Sequence, residues 1–377
     1  MFEWPLVSVV LVSWNSQQDL QACLPSLMAQ RYPYMEVIVV DNASPDGTAD
    51  WIASLYPKIR LLRNQENVGF AAAVNQGFAT ARGEVLVELN PDTIVDENWL
   101  TPLVEAIQEP NVGLATSRVM LMQEPKRVNA CGNEISLTGL TFCIGVGEEA
   151  EGYRDVTIQS VPAISGAAFA MSRTCYETIG GFDADYFTYF EDTDLSLRAR
   201  LAGFDVVLAA ESVAYHDYEF RFSPQKMYWI ERNRHLTLLK HLQWKTLLYL
   251  LPAFLLGDAM AWGYALLRGP ATLLAKAKAL AWLVNNIADV RRRHAATQAL
   301  RQVEDDVLVG AMTTHIRFDQ AIKGPLGHKL NQLVEPFLTW WQQKLTTKPT
   351  LIPSTADSSM SYNRPQPVPA NKKALSM

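Results

Sequence analysis

At 377 residues, with 49% hydrophobic and 19% charged side chains, the chain is too long for one small core and too apolar to be disordered overall. Its formal net charge of −6 supplies no global basic field, which excludes general nucleic-acid binding. Cys23, Cys131, Cys143 and Cys175 show neither CxxC nor Cys/His metal spacing, and no basic segment followed by an apolar run and a cleavage site opens the sequence. These features read as a cytosolic, reduced protein with unpaired thiols.

In chain order, Val7 to Val12 is an apolar strand with Ser13-Trp14-Asn15-Ser16 as its exit loop, and Leu20, Cys23, Leu24, Leu27 and Met28 then share one helical face. Glu36 to Val40 is a second strand ending in Asp41-Asn42-Ala43-Ser44, and Pro45-Asp46-Gly47-Thr48 opens a helix to about Tyr56. Arg60 to Leu62 is a short strand. Asn67-Val68-Gly69-Phe70 leads into a small-residue helix, Ala71 to Ala81, ended by Arg82-Gly83. The run Val85 to Leu89 reads as a buried central strand, and Pro91 forces a turn that leaves Asp92 in a loop at the strand's C-terminal tip. This alternation predicts a parallel sheet with right-handed crossovers, whose ligands bind at the C-terminal strand edge.

Glu97 to Gln108 is predicted as a helix, Val112 to Thr116 as a strand, 119–159 as hairpins and loops, and Pro162 to Met171 as a strand. Arg173 to Ile179 is a helix closed by Gly180-Gly181. The aromatic loop Phe182 to Phe190 runs into Glu191-Asp192-Thr193-Asp194, which opens a helix with Asp194 and Arg198 as a surface i, i+4 pair. Val206 to Ala209 and Val213 to Tyr215 close the sheet, with His216 just past the end.

Ser13-Trp14-Asn15-Ser16 lacks the glycines of a dinucleotide-binding turn, and the chain has no GxxxxGK[ST] phosphate loop. Side chains must therefore do the binding. Asp41, Asp92 and Glu191-Asp192 all fall at strand ends or loop-to-helix junctions, where each is read either as a helix cap or as part of a site. Asp92 with Thr93 suits a divalent metal that also holds phosphate oxygens. Of Glu191 and Asp192, one can cap the helix while the other removes a proton from a hydroxyl. His216 is a ligand candidate, and the aromatic loop either stacks on a sugar or fills a core.

The ordered set Val-Ser-Val-Val-Leu-Val-Ser-Trp-Asn, Val-Ile-Val-Val-Asp-Asn-Ala-Ser, Asn67-Val-Gly-Phe through Asn75-Gln-Gly77, Leu89-Asn-Pro-Asp-Thr93, Ser165-Gly-Ala, Gly181-Phe-Asp, Phe190-Glu-Asp-Thr-Asp-Leu and His216 resembles the inverting family 2 glycosyltransferases. The resemblance covers about 7–241. Its Asn-Pro-Asp-Thr and Asp-Asn-Ala-Ser runs are most similar to the rhamnosyltransferase-like branch, which builds bacterial surface polysaccharides. It implies an α/β GT-A fold with a mostly parallel central sheet, a nucleotide-diphospho-sugar donor and a divalent metal, Mg2+ or Mn2+. It further implies donor contacts from Ser13, Trp14, Asp41, Asn67, Gly69, Asn90 and Asp92, acceptor contacts from Ser165, Gly166 and Tyr189, and metal contacts from Asp92 and His216. Asp192 matches the general base and Glu191 its neighbour. Asn90 replaces the first acid of the family's Asp-x-Asp motif, and Arg232-Asn233 resembles a further motif to which the sequence assigns no role.

Two rival readings differ in class. A non-catalytic GT-A-fold subunit of a glycan assembly complex finds its best argument in Asn90, against which stand Asp92 and Asp192. A sugar-phosphate nucleotidyltransferase is expected to carry an early glycine-rich, basic loop, which Ser13-Trp14-Asn15 does not supply.

After His241 the composition turns apolar. Thr246 to Leu267 has nearly the length of a bilayer span, but Asp258 near its middle and Pro252 disfavour one. Arg268, Lys276, Lys278 and Arg291-Arg292-Arg293 beside Leu273, Leu274, Leu280, Trp282 and Leu283 predict a helical hairpin on the inner face of the cytoplasmic membrane, which suits a polyprenyl-linked or polysaccharide acceptor. A helical extension packed on the catalytic domain is the alternative. Further helices are expected over 305–344, with Trp340 and Trp341 as anchors. The expected layout is a catalytic domain 1–241 (donor half 1–116, acceptor half 117–241), a helical extension 242–345 and a disordered tail 346–377; the reading leaves a homodimer open.

Overall fold

A computed structural model describes residues 4–153, 157–218, 222–317 and 325–346, with only the backbone at 325–328. The first ninety residues alternate as β1 (Val7–Ser13), α1 (Gln17–Met28), β2 (Met35–Asp41), α2 (Thr48–Leu55), β3 (Arg60–Arg63), α3 (Phe70–Thr80) and β4 (Val85–Leu89). All seven residues of β1 and all five of β4 are buried, because both strands are covered on two faces. Along β1, Val9 and Leu11 face a core shared with α1 and the later α4 (Leu100–Gln108), whereas Val10 and Val12 face α3 and the later α6 (Glu191–Leu201). The result is a three-layer α/β/α sandwich.

Beyond β4 come β5 (Thr93–Val95), β6 (Val112–Leu121), β7 (Val128–Ala130), β8 (Asn133–Ile135), β9 (Thr141–Cys143), β10 (Ile158–Ser160), β11 (Ala168–Ser172) and β12 (Asp205–His216), with α5 (Arg173–Ile179) after β11. The main sheet runs β10-β12-β6-β11-β4-β1-β2-β3. The β3-β2-β1-β4 block is parallel, as is the β6-β12 pair, and β11 joins them by pairing antiparallel to both β4 and β6. Because β11 runs against β4, the residues that precede it lie at the C-terminal end of β4.

Several expected boundaries move. The stretch from Pro162 to Ala167 is extended loop, and only Ala168–Ser172 pairs as strand. The two short strands expected near 206 and 213 form one long β12, with an irregularity between Ala209 and Val213, and His216 is its last residue rather than one past it. Asp194 and Arg198 are buried, not a surface pair: Arg198 donates from Nε to Asp194 and from its guanidinium to the carbonyls of Ile179 and Gly181. Lys240 Nζ completes the set at 2.5 Å from Asp194, and these cations hold the Asp194 carboxyl well below its usual range despite burial.

The helical region comprises α7 (Pro224–His241), α8 (Trp244–Arg268), α9 (Pro270–Asn285), α10 (Ile287–Gln298), α11 (Asp305–Ala311) and a last helix, Pro325–Leu345. Helix α8 passes through Pro252 without a break. It is the one helix among the described residues that is long and apolar enough to cross a membrane, with a mean hydropathy of 1.5. Its inward stripe (Leu250, Ala253, Gly257, Ala261, Ala265) is buried and its outward stripe (Leu248, Leu251, Leu255, Leu266) is exposed. Asp258 turns inward, accepting from Arg234 at 2.7 Å and Lys276 at 2.9 Å, so its charge faces the protein. Lys276, expected on a basic surface, is fully buried in this network. Trp340 is exposed, but Trp341 packs on Tyr249 and donates to its carbonyl at 2.9 Å. The expected disordered tail lies, from residue 347, outside the described residues.

Candidate active site

The C-terminal sheet edge collects the side chains of interest. Ser13 and Asp41 end β1 and β2 as register partners. Asp41 Oδ2 accepts from the Ser44 backbone at 3.2 Å, but Asp41 Oδ1 and Ser13 Oγ are buried with no partner among the described residues, polar atoms available to a ligand. Trp14 is exposed beside them. Asn42 ties the next loop to this edge, accepting from Val68 N at 3.0 Å and donating to Asn67 Oδ1 at 2.9 Å. Asn67 thus spends its side-chain oxygen inside the loop. Gly69 has φ +86 and a Cβ there would meet the Phe187 ring at 2.7 Å, so both backbone and space require glycine.

Asp92 follows β4, and the β5–β12 pairing of Thr93 with His216 brings the histidine to it. His216 Nε2 stands 3.2 Å from Asp92 Oδ1. His216 Nδ1 lies 2.9 Å from Asn129 Oδ1, an acceptor for Nδ1–H; in the neutral ring with that tautomer Nε2 is left as a free ligand atom on the Asp92 side. Asp92 Oδ1 is buried with no hydrogen-bond partner among the described residues. Two acceptors at this spacing match adjacent corners of an octahedron with ligand distances of about 2.1 Å, which lie about 3 Å apart. The residues present fit a divalent cation, with Asn129 fixing the tautomer as an outer partner. Asn90 contributes backbone: its N–H donates to Ala167 at 3.0 Å and its carbonyl accepts from Thr93 Oγ1 at 2.6 Å.

Asp192 sits at the start of α6. Its Oδ2 accepts from Asn133 Nδ2 at 2.9 Å and Gly166 N at 3.1 Å, and its Oδ1 from Thr193 N at 2.6 Å. Burial pushes the Asp192 carboxyl up, and the hydrogen bonds from Thr193 and Gly166 oppose that shift. Glu191 is raised too, first by burial and then by the Asp192 charge, and its Oε2 has no partner among the described residues. Ser165 is held through its backbone by Thr116 Oγ1 at 3.2 Å. The aromatic loop divides its work: Phe182, Tyr186 and Phe190 are buried, Phe187 is partly exposed and stacks on Trp229, and Tyr189 lies beneath Lys226 at 5.6 Å.

Sequence reasoning missed Asn129 and Asn133, which lie in the weakly periodic stretch after β6. It also read Val85 to Leu89 as a buried strand without assigning a role to the Glu88 within it. Glu88 is fully buried, neither oxygen has a partner among the described residues, and burial with the charges of Asp92, Glu191 and Asp192 holds its carboxyl far above the usual range. An acid raised by folding favours the native state below its unfolded pKa of about 4.3 and withdraws that support as pH rises. Glu88→Gln is therefore expected to gain stability relative to wild type on going from pH 5 to pH 8. The gain is about 1.4 kcal/mol per pH unit until the folded pKa is reached. Urea melts at each pH check it, and a gap that does not change with pH would show Glu88 to be solvated.

One further cluster has ligand-like spacing, Glu231, His235 and Asp258, but Arg234 and Lys276 already occupy its carboxylate oxygens. It is a salt-bridge network and not a metal centre.

A parallel-rich sheet carrying an aspartate after its fourth strand, a histidine beside it and a second aspartate at a helix start belongs to the GT-A architecture. The chain is a member of the glycosyl transferase family group 2, whose model matches residues 86–288, and the glycosyl transferase family 2 model matches residues 8–137. It is similar to the O-antigen biosynthesis protein RfbC of Myxococcus xanthus, 28% identical over 240 residues that make up 60% of this chain and 19% of that protein. The chain spans less than half the length of the curated relatives it matches. Two solved structures share the fold. The mannosyltransferase PcManGT of Pyrobaculum calidifontis in complex with GDP-Man and Mn2+ has a TM-score of 0.50, with 21% identity covering 79% of this chain and 87% of that one. S. aureus TarS 1-349 in complex with UDP-GlcNAc has a TM-score of 0.52, with 15% identity covering 90% and 91%.

Proposed function

We propose that this chain is an inverting glycosyltransferase moving a sugar from a nucleotide-diphosphate donor to a growing cell-surface polysaccharide or lipid-linked oligosaccharide. The observation that carries the reading is the pairing of two differently built carboxylates on one sheet edge. Asp192 is raised by burial and held by donors to both oxygens, whereas Asp92 Oδ1 has no hydrogen-bond partner among the described residues and stands 3.2 Å from a histidine ring nitrogen. Asp192 takes the proton of the acceptor hydroxyl as its oxygen attacks the anomeric carbon. The bond to the diphosphate breaks on the opposite face, and the configuration inverts. Asp92 and His216 would hold a divalent cation, which supplies positive charge against the departing diphosphate. Ser13 and Asp41, with unsatisfied polar atoms, receive the nucleoside; Gly166 and Tyr189 border the acceptor side. The Asn90-Pro91-Asp92-Thr93 run supports rhamnose as the donor sugar, and the O-antigen relative supports a surface glycan as product.

The layout that goes with this reading is a donor half 1–116, an acceptor half 117–241 and a helical extension that rests on the cytoplasmic face of the membrane. Its support is the exposed Leu248, Leu251, Leu255 and Leu266 stripe with Trp244 and Trp262 at hand and Asp258 turned away from it. Calorimetry with a panel of nucleotide-diphospho-sugars, with and without Mn2+, tests the proposal. One donor should bind selectively and more tightly with metal, and Asp92→Ala should abolish the metal-dependent increment. In the same preparations, anionic vesicles should carry the protein in flotation. Binding of no donor, with or without vesicles, would favour a non-catalytic subunit of the same fold.

A further inference from the structure

The loop that delivers Glu191 and Asp192 is strained. Phe187, Tyr189 and Phe190 all have positive φ, at 61°, 65° and 69°, a region that L-residues with bulky side chains avoid. Such a loop persists only if its surroundings over-determine it. Chief among the groups that hold it is one fully buried side chain of α7. Asn233 Nδ2 donates to the carbonyls of Tyr186, Thr188 and Tyr189 at 3.0, 2.9 and 2.7 Å, so its two hydrogens are shared among three acceptors. Its own Oδ1 accepts from Arg232 Nε at 2.8 Å, which fixes the amide's orientation. Arg232 in turn donates to the Asp185 carbonyl, with its guanidinium between Trp229 and Trp282 at 4.5 and 4.7 Å. Trp229 stacks on Phe187 at 5.1 Å, and the Phe187 carbonyl accepts from Phe70 N at 3.3 Å, beside Gly69. A single relay therefore runs from α9, which carries Trp282, through Arg232 and Asn233 to the backbone just before Asp192.

We propose that Arg232 and Asn233 are positioning residues for glycosyl transfer, clamping the 186–190 backbone so that Asp192 meets the acceptor hydroxyl. This rests on Asp192 being the base, and the test separates the two ideas. Neither residue reaches the sheet edge in the contacts above, so each acts through the loop.

The experiment compares wild type, Asn233→Ala, Asp192→Asn and the double variant, with Arg232→Lys as a second probe of the clamp should Asn233→Ala fail to fold. Amide hydrogen exchange over 186–193 should quicken by at least about tenfold in Asn233→Ala and in Arg232→Lys while β4 and β11 keep wild-type protection. That readout needs no activity and holds even if the function reading fails. In the transfer assay, kcat should fall about tenfold or more with the KM for the donor changed less than about twofold. The double variant should be no slower than Asp192→Asn alone, since a residue acting through the base has nothing left to align. Unchanged exchange would overturn the clamp. Quickened exchange with unchanged kcat, or losses that multiply in the double variant, would overturn the positioning role.

Discussion

Asp192→Asn should leave nucleotide-diphosphate affinity within about twofold of wild type and lower kcat by about 10² to 10⁴, the range that a positioned general base contributes. The physical basis is the asymmetry of its surroundings. Four donors could have been replaced by water at an open rim, yet Asn133, Gly166 and Thr193 fix the carboxylate's plane while burial raises its basicity. The amide of an asparagine takes no proton and would set its own N–H against one of those donors. Because the wild-type carboxyl is raised, the acid limb of kcat/KM should lie above the usual aspartate value of about 3.9 and disappear in the variant. Steady-state transfer across pH, paired with calorimetry of the diphosphate, reads both effects. A variant retaining kcat within threefold would remove Asp192 from the chemistry.

The largest loss of stability is expected from Arg234→Ala. Arg234 is fully buried and donates to both oxygens of Glu231, at 3.0 and 2.9 Å, to Asp258 at 2.7 Å and to the Thr138 carbonyl at 2.9 Å. Lys276 shares the two acids, so two cations and two anions balance. Deleting the guanidinium leaves the buried Glu231 and the partly exposed Asp258 to one ammonium, a change that costs about 3 to 5 kcal/mol. Denaturant melts followed by tryptophan fluorescence measure it. Glu231→Gln combined with Arg234→Ala should cost less than Arg234→Ala alone, because the unpaired anion is gone; a larger loss in the pair would mean that packing, not charge, dominates.

The β/α alternation of the first ninety residues was legible because each buried strand writes an unbroken apolar run between turn residues, and the Asp41 and Asp92 positions followed from where those runs stop, whereas Asp192 was placed by the aromatic loop that runs into its helix. Helix α6 defeated the same reasoning. Ten of its eleven residues are buried, so charge no longer marks the outside; the Asp194–Arg198 pair forms as expected but inside the protein, where Lys240, 46 residues on, adds a second cation to Asp194. Asn129 and Asn133 were invisible for a related reason. They reach His216 and Asp192 through short strands whose pairing is set by distant segments, and an asparagine in such a stretch looks like any turn former. The Lys276 error has one cause with the Asp258 reading: composition alone cannot show that two opposite charges on successive helices turn toward each other.

The antiparallel insertion of β11 has a consequence for how the protein is made. As the chain leaves the ribosome, β1 to β4 can assemble at once, but the outer edge of β4 stays unpaired until Ala168–Ser172 has been synthesised and threaded between it and β6. That edge is Val-Leu-Val-Glu-Leu, the most apolar strand border the nascent domain presents. Glu88, buried in the finished fold with neither oxygen partnered among the described residues, sits within it. A hydrated carboxylate in a bare apolar border disfavours pairing with a neighbouring chain, so Glu88 is expected to guard this edge until β11 pairs with it.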